Sequence, residues 1–269
     1  MALQTNSENK FADVPLRVKT WIYIILVFAE GISHPFLMKL FVAWITYQAM
    51  SEILTLYKIN YRKIISASVS FIQFCLLCNF GIELYLLYAF LLIINILVYL
   101  IITKLALKQI VGSFFGLAFC LLAFAHLEYI REDFSGIKTI IFVVVVTELN
   151  DVFQYLMGKF FGKRKIVPSI SPNKTVEGFV GGVFLTVILS NILGYFLLSS
   201  SIFGNTVLGF VLGIFGFFGD VLMSVIKRDA NVKDTGKLLP GHGGLLDRMD
   251  SLIFNAPLFF WILPVILKF

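Results

Sequence analysis

The sequence predicts an all-α, polytopic integral membrane protein of about nine transmembrane helices with its N-terminus in the cytoplasm. Three observations carry that expectation. Hydrophobic residues make up 59% of the 269-residue chain and charged residues 14%, with a mean hydropathy of +0.91; soluble domains average about 45–50% apolar and about 25% charged. The apolar residues gather into runs of spanning length. Lys and Arg fall almost entirely in alternate connections between those runs.

The runs cover 21–32, 36–57, 64–80, 84–103, 112–127, 139–157, 178–198, 207–226 and 251–267. A spanning helix needs about 20 residues, with a range of roughly 17–25, and most of the runs fit. The run at 21–32 is short. It reads as a half-spanning or interfacial helix, or as one arm of a hairpin with the second run across His34-Pro35, and leaving it out sets a floor of eight spans. With the N-terminus inside, the cytoplasmic segments are 1–20, 58–63, 104–111, 158–177 and 227–250, and they hold 18 of the 22 Lys and Arg residues. That asymmetry is what the positive-inside rule expects of nine spans. It accounts for the net charge of +6 through topology and phosphate binding, with no call on nucleic acid.

The first twenty residues are polar and no small-residue cleavage site follows the first run, so a cleaved signal peptide is not expected. Cys75 and Cys78 form a CxxC inside an apolar run and read as packing groups, and Cys120 carries no assignment. Residues 1–138 form membrane helices with almost no buried charge, suited to packing, dimerisation or a lipid-accessible wall. Residues 139–269 carry intramembrane carboxylates together with long basic loops at 158–177 and 227–250. No internal repeat is visible, which leaves the inverted-repeat design of many transporters unsupported.

The chemistry concentrates in 224–250, SVIKRDANVKDTGKLLPGHGGLLDRMD, directly behind an apolar run. Gly209, Gly213, Gly216 and Gly219 recur every three or four residues and mark a close helix contact. Asp220, Ser224 and Lys227 fall on one helix face. Asp220 lies about 10 Å of rise below Lys227, inside the membrane boundary, where an ionised Asp costs roughly 2.5–3.5 kcal/mol unless a cation or polar cavity offsets it. Lys227, Arg228, Lys233 and Lys237 follow, then Pro240-Gly241-His242-Gly243-Gly244, a backbone able to approach phosphate oxygens. Asp247 and Asp250 are neighbours at i and i+3, placements that a helix dipole alone also favours. With Asp220 they offer an oxygen-ligand set suited to Mg²⁺, which takes one or two carboxylates plus phosphate oxygens.

A second constellation precedes it. Glu148, Asp151 and Tyr155 are expected to share one helix face by their three- and four-residue spacing. Ser171, Asn173, Lys174 and Thr175 gather donors before a helix whose N-terminus favours anions. Ser171-Pro172 and Thr175 also read simply as helix caps. Gly178 and Gly182 repeat the small-residue spacing and read as packing positions.

At these residues the chain resembles the phosphatidate cytidylyltransferases, also called CDP-diacylglycerol synthases. The family signature is met by Ser224, Lys227, Arg228, Lys233, Asp234, Pro240, Gly241, His242, Gly243, Gly244, Asp247, Arg248 and Asp250. A second family element is met by Ser171, Pro172, Lys174, Thr175, Glu177, Gly178, Gly181 and Gly182. The resemblance is sharp over 148–251 and only topological before it. One departure is Gln154, where family members commonly carry alanine before the tyrosine matching Tyr155.

The resemblance implies the reaction CTP + phosphatidate → CDP-diacylglycerol + pyrophosphate, in a helical membrane fold that forms a homodimer. It also implies a two-cation centre, Mg²⁺ with K⁺, on an aspartate pair that maps to Asp220 and Asp247, with Asp250 nearby. The expected setting is a bacterial inner or plasma membrane with the site facing the cytoplasm. Lys227, Arg228, Lys233 and Arg248 are expected to hold triphosphate, and Ser171, Lys174 and Thr175 the lipid phosphate or the nucleotide. His242 reads equally as a phosphate contact or a loop-ordering residue. The competing readings are an enzyme activating another lipid anion, such as an ether lipid or polyprenol, and a cation transporter, which would leave the glycine-rich basic loop without a role.

Overall fold

The structure is a computed structural model that describes residues 14–134, 136–241 and 243–268. His242, the 1–13 segment and Phe269 lie outside the described residues. Among the described residues every regular element is helical: α1 (Val14–Ser33), α2 (Pro35–Leu56), α3 (Arg62–Asn79), α4 (Ile82–Ile102), α5 (Leu107–Ala118), a π-helical turn (Phe119–Ala123), α6 (Phe124–Asp133), α7 (Ile137–Phe161), α8 (Val176–Leu197), α9 (Ile202–Asp229), α10 (Leu246–Met249) and α11 (Leu252–Ile266).

These elements form nine rods, because α5, the π turn and α6 run on as one, as do α10 and α11. Six rods are long and apolar enough to cross a membrane: α4, α5–α6, α7, α8, α9 and α10–α11. The short run at 21–32 belongs to a 20-residue helix. Its end folds back onto α2, with Gly31 against the Phe41 ring and Phe28 and Phe41 at 6.2 Å between centroids. His34 makes the hairpin: its Nδ1 accepts the Phe36 N–H and Pro35 opens α2, where a missing N–H costs nothing.

The rods alternate in direction, so helix ends gather on two faces. One face carries the start of α1, the ends of α2, α7 and α9, and both basic loops; Thr20 of α1 donates to the Pro240 carbonyl there at 3.0 Å. On the other face Arg131 Nε donates to the Ile32 carbonyl at the end of α1, at 3.0 Å. Buried charge is present in the first half after all, in correction of the sequence-based expectation. Lys39 pairs with Glu128 at 2.9 Å and with Glu132 at 3.3 Å, and Glu52 is 9% exposed. The π turn widens the helix and leaves carbonyls for other donors. Tyr85 Oη donates to the Leu121 carbonyl at 2.7 Å and Thr46 Oγ1 to that of Cys120 at 3.5 Å.

The second half of the chain is built on glycine contacts. A Cβ on Gly182 would come within 2.8 Å of the Gln154 Cα, and one on Gly178 within 2.9 Å of the Gly158 Cα, so α7 and α8 meet backbone to backbone. The glycine stripe of α9 serves two partners: Gly209 and Gly213 face α8, while Gly216 and Gly219 face Ser251 and Asp250 at the start of α11. Between these helices runs a buried polar network. Gln154 Nε2 donates to Asn150 Oδ1 at 3.0 Å and to the Gly213 carbonyl at 3.1 Å. Thr186 Oγ1 donates to Asn150 Oδ1 at 2.9 Å, and Asn255 Nδ2 donates to Thr147 Oγ1 and to the Leu212 carbonyl, each at 3.0 Å.

Candidate active site

The loop between α7 and α8 folds back on itself as a narrow hairpin. Ile166 N–H donates to the Lys174 carbonyl at 3.1 Å and Val176 N–H to that of Arg164 at 2.9 Å. Glu177 Oε2 accepts the Lys163 and Arg164 amides at 2.8 and 3.1 Å, holding the hairpin against the start of α8. Thr175 caps α8 through the Gly178 N–H at 3.1 Å, so the capping role read for it is present. This folding aims Lys174 inward. Its Nζ stands 4.4 Å from the Phe217 ring centroid and 2.6 Å from Asp220 Oδ2. Ser224 Oγ donates to Asp220 Oδ1 at 3.4 Å, in keeping with their shared face. A pocket of about 160 Å³ lies here, lined by Asp151, Tyr155, Ser171, Lys174, Thr175 and Asp220 among others.

The second loop winds around Asp247. Lys227 Nζ donates to its Oδ1 at 2.8 Å, and Oδ2 accepts the Thr235 amide at 2.8 Å and the Gly244 amide at 2.9 Å, with the Thr235 Oγ1 3.1 Å away. Gly243 must be glycine: its φ is +88°, and a Cβ would press on Asp247 Oδ2 at 2.7 Å. Arg228 joins the two basic loops, donating from Nε to the Ile170 carbonyl at 3.2 Å and from Nη1 to that of Val232 at 2.8 Å.

Sequence reasoning missed Glu52. From near the end of α2 its Oε1 accepts the Leu245 amide at 2.8 Å, while Oε2 accepts the Thr235 hydroxyl at 2.7 Å and the Leu246 amide at 3.1 Å. One carboxylate in the first half thus fixes the segment that carries Gly244 and Asp247. No local spacing could reveal a partner 183 residues away. An acidic side chain inside an apolar run was the available signal.

The predicted metal ligands do not converge as one set. Among the described residues no group of three or more His, Cys, Asp and Glu side chains is placed to hold a metal ion by itself. Asp247 is engaged by Lys227 and the loop amides. Asp250 is buried, its Oδ1 accepting the Ser251 amide at 2.9 Å, and Ser251 Oγ donates to Asp151 Oδ2 at 2.8 Å. Carboxylate oxygens are the ligand chemistry of a hard cation, and a Mg²⁺ site takes one or two of them and is completed by substrate phosphates.

Other predicted residues are divided. Glu148 does not share the wall of Asp151 and Tyr155; α7 turns it into a second cavity together with Arg248. Tyr155 is exposed, with Lys159 Nζ 5.8 Å from its ring centroid, and Lys233 and Asp234 are exposed on the loop surface.

Helices long and apolar enough to cross a membrane, with two lysine–aspartate pairs gathered where the basic loops meet α9, are those of a multi-pass helical membrane protein with a charged site on its loop-bearing face. The chain belongs to the cytidylyltransferase family, whose pattern matches residues 16–266. It is 39% identical to the uncharacterized protein YnbB of Escherichia coli K12 over 266 residues, 95% of this chain and 89% of that protein. It is 41% identical to a phosphatidate cytidylyltransferase of Staphylococcus saprophyticus over 152 residues. A phosphatidate cytidylyltransferase of Staphylococcus aureus strain COL is 40% identical over the same length. Those alignments cover 54% of this chain and 58% of the staphylococcal enzymes.

Proposed function

We propose that the protein is a phosphatidate cytidylyltransferase: it joins CTP and phosphatidate to give CDP-diacylglycerol and pyrophosphate at the cytoplasmic face of the membrane. The observation that carries this reading is the pair of charge contacts Lys174–Asp220 and Lys227–Asp247, gathered on α9 where the first basic loop and α10 meet it, with Arg228 tying the two basic loops together. Each pair offers a cation for phosphate oxygens and a carboxylate for a metal. The names of the staphylococcal relatives support the choice of lipid.

A phosphatidate phosphate oxygen is already nucleophilic. It forms a bond to the α-phosphorus of CTP while the bond to the pyrophosphate oxygen breaks, and neither a covalent enzyme intermediate nor a strong base is required. The protein brings two polyanions together and balances charge on the departing pyrophosphate. Lys227, Arg228 and Lys233 hold the triphosphate, and Lys174 with Ser171 and Thr175 extends the same cradle towards the α-phosphorus. Asp220 and Asp250 would hold Mg²⁺, with Asp247 joining by exchanging its Lys227 contact; K⁺ is a candidate second ion. When bound, the cation supplies Lewis-acid neutralisation of the phosphate oxygens. Asp151 and Ser251 orient the carboxylate side of the cradle, and dimerisation belongs to the same proposal.

The test is incubation of membranes or purified protein with labelled CTP, Mg²⁺ and phosphatidate. A lipid-soluble cytidine product is expected, lost on chelation, restored by Mg²⁺ and absent with Asp220→Asn or Asp247→Asn at equal insertion. Near-normal turnover in either variant would sink the metal assignment. No cytidine lipid from phosphatidate, with product from another lipid anion, would overturn the choice of acceptor.

A further inference from the structure

A dense positive patch lies outside the candidate site, where α7 ends. Lys159, Lys163, Arg164 and Lys165 fall close together, and no Asp or Glu occurs from 152 to 176. All four are exposed, and Phe160 and Phe161 beside them are 71% and 60% exposed. At 25 residues α7 is about 38 Å long, against a hydrocarbon core of ~30 Å. Its last turn and the residues after Gly162 therefore stand at headgroup level, where aromatic rings and cationic side chains gather. Charge at the end of a span needs no more than topology to explain it. What this charge is joined to asks for more.

The patch runs into one strand of the hairpin whose other strand carries Lys174. Lys165 pairs with Thr175, Ile166 N–H donates to the Lys174 carbonyl at 3.1 Å, and Val176 N–H to that of Arg164 at 2.9 Å. Glu177 grips this outer strand by the Lys163 and Arg164 amides and leaves the side chains exposed. The pocket beside Asp220 is lined by the inner strand, at Asn173, Lys174 and Thr175, and 163–165 take no part in its wall. The outer charges thus face something other than the pocket. Whatever holds them also holds Lys174, through the strand pairing. A soluble polyanion would account for the lysines but would leave the two exposed phenylalanines at headgroup level without a partner. A bilayer surface rich in anionic headgroups meets both.

We propose that 159–165 is a docking surface for anionic headgroups of the surrounding bilayer, lipid that is not consumed, and that this contact seats the hairpin with Lys174 against Asp220. The consequence for Lys174 rests on the nucleotidyl-transfer reading above, whereas the lipid contact does not.

Two experiments test the surface. Native mass spectrometry of the purified full chain, taken from micelles of equal phosphatidylglycerol and phosphatidylcholine, reads the contact itself. The unmodified protein is expected to retain phosphatidylglycerol in excess, and Lys163→Gln/Arg164→Gln/Lys165→Gln to lose most of that excess. One basic side chain near an anionic surface strengthens the hold by about fivefold, so three give roughly a hundredfold. Lys58→Gln/Arg62→Gln/Lys63→Gln removes equal charge from the exposed connection between α2 and α3 and is expected to keep the excess. No excess in the unmodified protein, an excess that survives in the 163–165 variant, or equal loss in both variants would overturn the proposal.

The consequence for Lys174 is read in nanodiscs with phosphatidate at one mole fraction. An anionic bilayer repels CTP from either protein alike, so the quantity is kcat/KM for CTP in the unmodified protein relative to the 163–165 variant. The two should be equal in phosphatidylcholine and differ by about fivefold in phosphatidylglycerol. At 1 M salt, where the screening length is about 3 Å, they should be equal again. Equality in both lipids at low salt would refute the link to Lys174. Should the unmodified protein make no cytidine lipid, the phosphatidate reading fails, while a phosphatidylglycerol excess lost only in the 163–165 variant would still support the surface.

Discussion

Glu52 gives the sharpest test of how the glycine-rich segment is held. Its carboxylate accepts from the Thr235 hydroxyl and from the Leu245 and Leu246 amides. Glu52→Gln keeps the volume but turns one acceptor into an NH₂ that faces a buried N–H. An unmet buried donor costs about 1–3 kcal/mol, and each hydrogen bond to a charged group contributes about 1.5–3 kcal/mol. A loosening of about 3 kcal/mol corresponds to roughly a hundredfold in kcat/KM. The loss should appear against CTP, because the Gly244 amide and Thr235 orient Asp247, which Lys227 in turn contacts. Glu52→Ala, which strands all the donors, should cost more. Thr235→Val, which removes only the hydroxyl, should cost about tenfold. The assay is steady-state cytidylyl transfer in mixed micelles with CTP varied, beside thermal unfolding of each purified variant. A Glu52→Gln enzyme with unchanged kcat/KM for CTP would refute the reasoning. So would a loss fully explained by a lower melting temperature.

Further expectations are independent of Glu52. Lys233→Ala and Lys174→Ala should each raise the apparent KM for CTP by about ten- to a hundredfold, one charge-assisted contact being worth about 1.5–3 kcal/mol. A Lys174→Ala effect on phosphatidate alone would separate the loops and place the lipid phosphate on the α8 side. A reporter fused after Phe269 should read as extracytoplasmic and one inserted in 158–177 as cytoplasmic; two cytoplasmic readings would reduce the count to eight spans. Gly182→Val should lower the melting temperature in detergent, because its Cβ would meet Gln154 backbone within 2.9 Å and overpacking costs about 1–3 kcal/mol. Unchanged stability would show that α7 and α8 separate freely.

The helical membrane fold was legible because lipid forces every span to be a long apolar run, and charge placement then sorted the connections. The cap at Thr175, the packing of Gly182 and the shared face of Asp220 and Ser224 were equally legible, since each follows from spacing within a helix turn or two. The lysine–aspartate pairs were not. Lys174 and Asp220 are 46 positions apart and meet only because the 163–175 hairpin folds inward. The division of Glu148 from Asp151 across α7 was hidden for a related reason. Residues three apart share a helix surface, yet a wall between two cavities can run between them.

The hydrogen bonds among Thr147, Asn150, Gln154, Thr186 and Asn255 bear on a question that packing alone leaves open: how deep each helix sits relative to its neighbours. Apolar helices in lipid can slide past one another at small cost, since one layer of Leu and Val resembles the next. A slip of one turn, about 5.4 Å, would break the contacts that cross between helices together, Thr186 to Asn150, Asn255 to Thr147 and Leu212, and Gln154 to Gly213; such side-chain contacts are worth on average about 0.6 kcal/mol each in a membrane. Because Asn150 precedes Asp151 in sequence and Asn255 lies one turn beyond Ser251, the same register sets the Asp151–Ser251 hydrogen bond at 2.8 Å. Gln154 adds a contact to the α9 backbone that alanine could not make. The network works as a vertical stop, holding the carboxylates at one height beneath the loops.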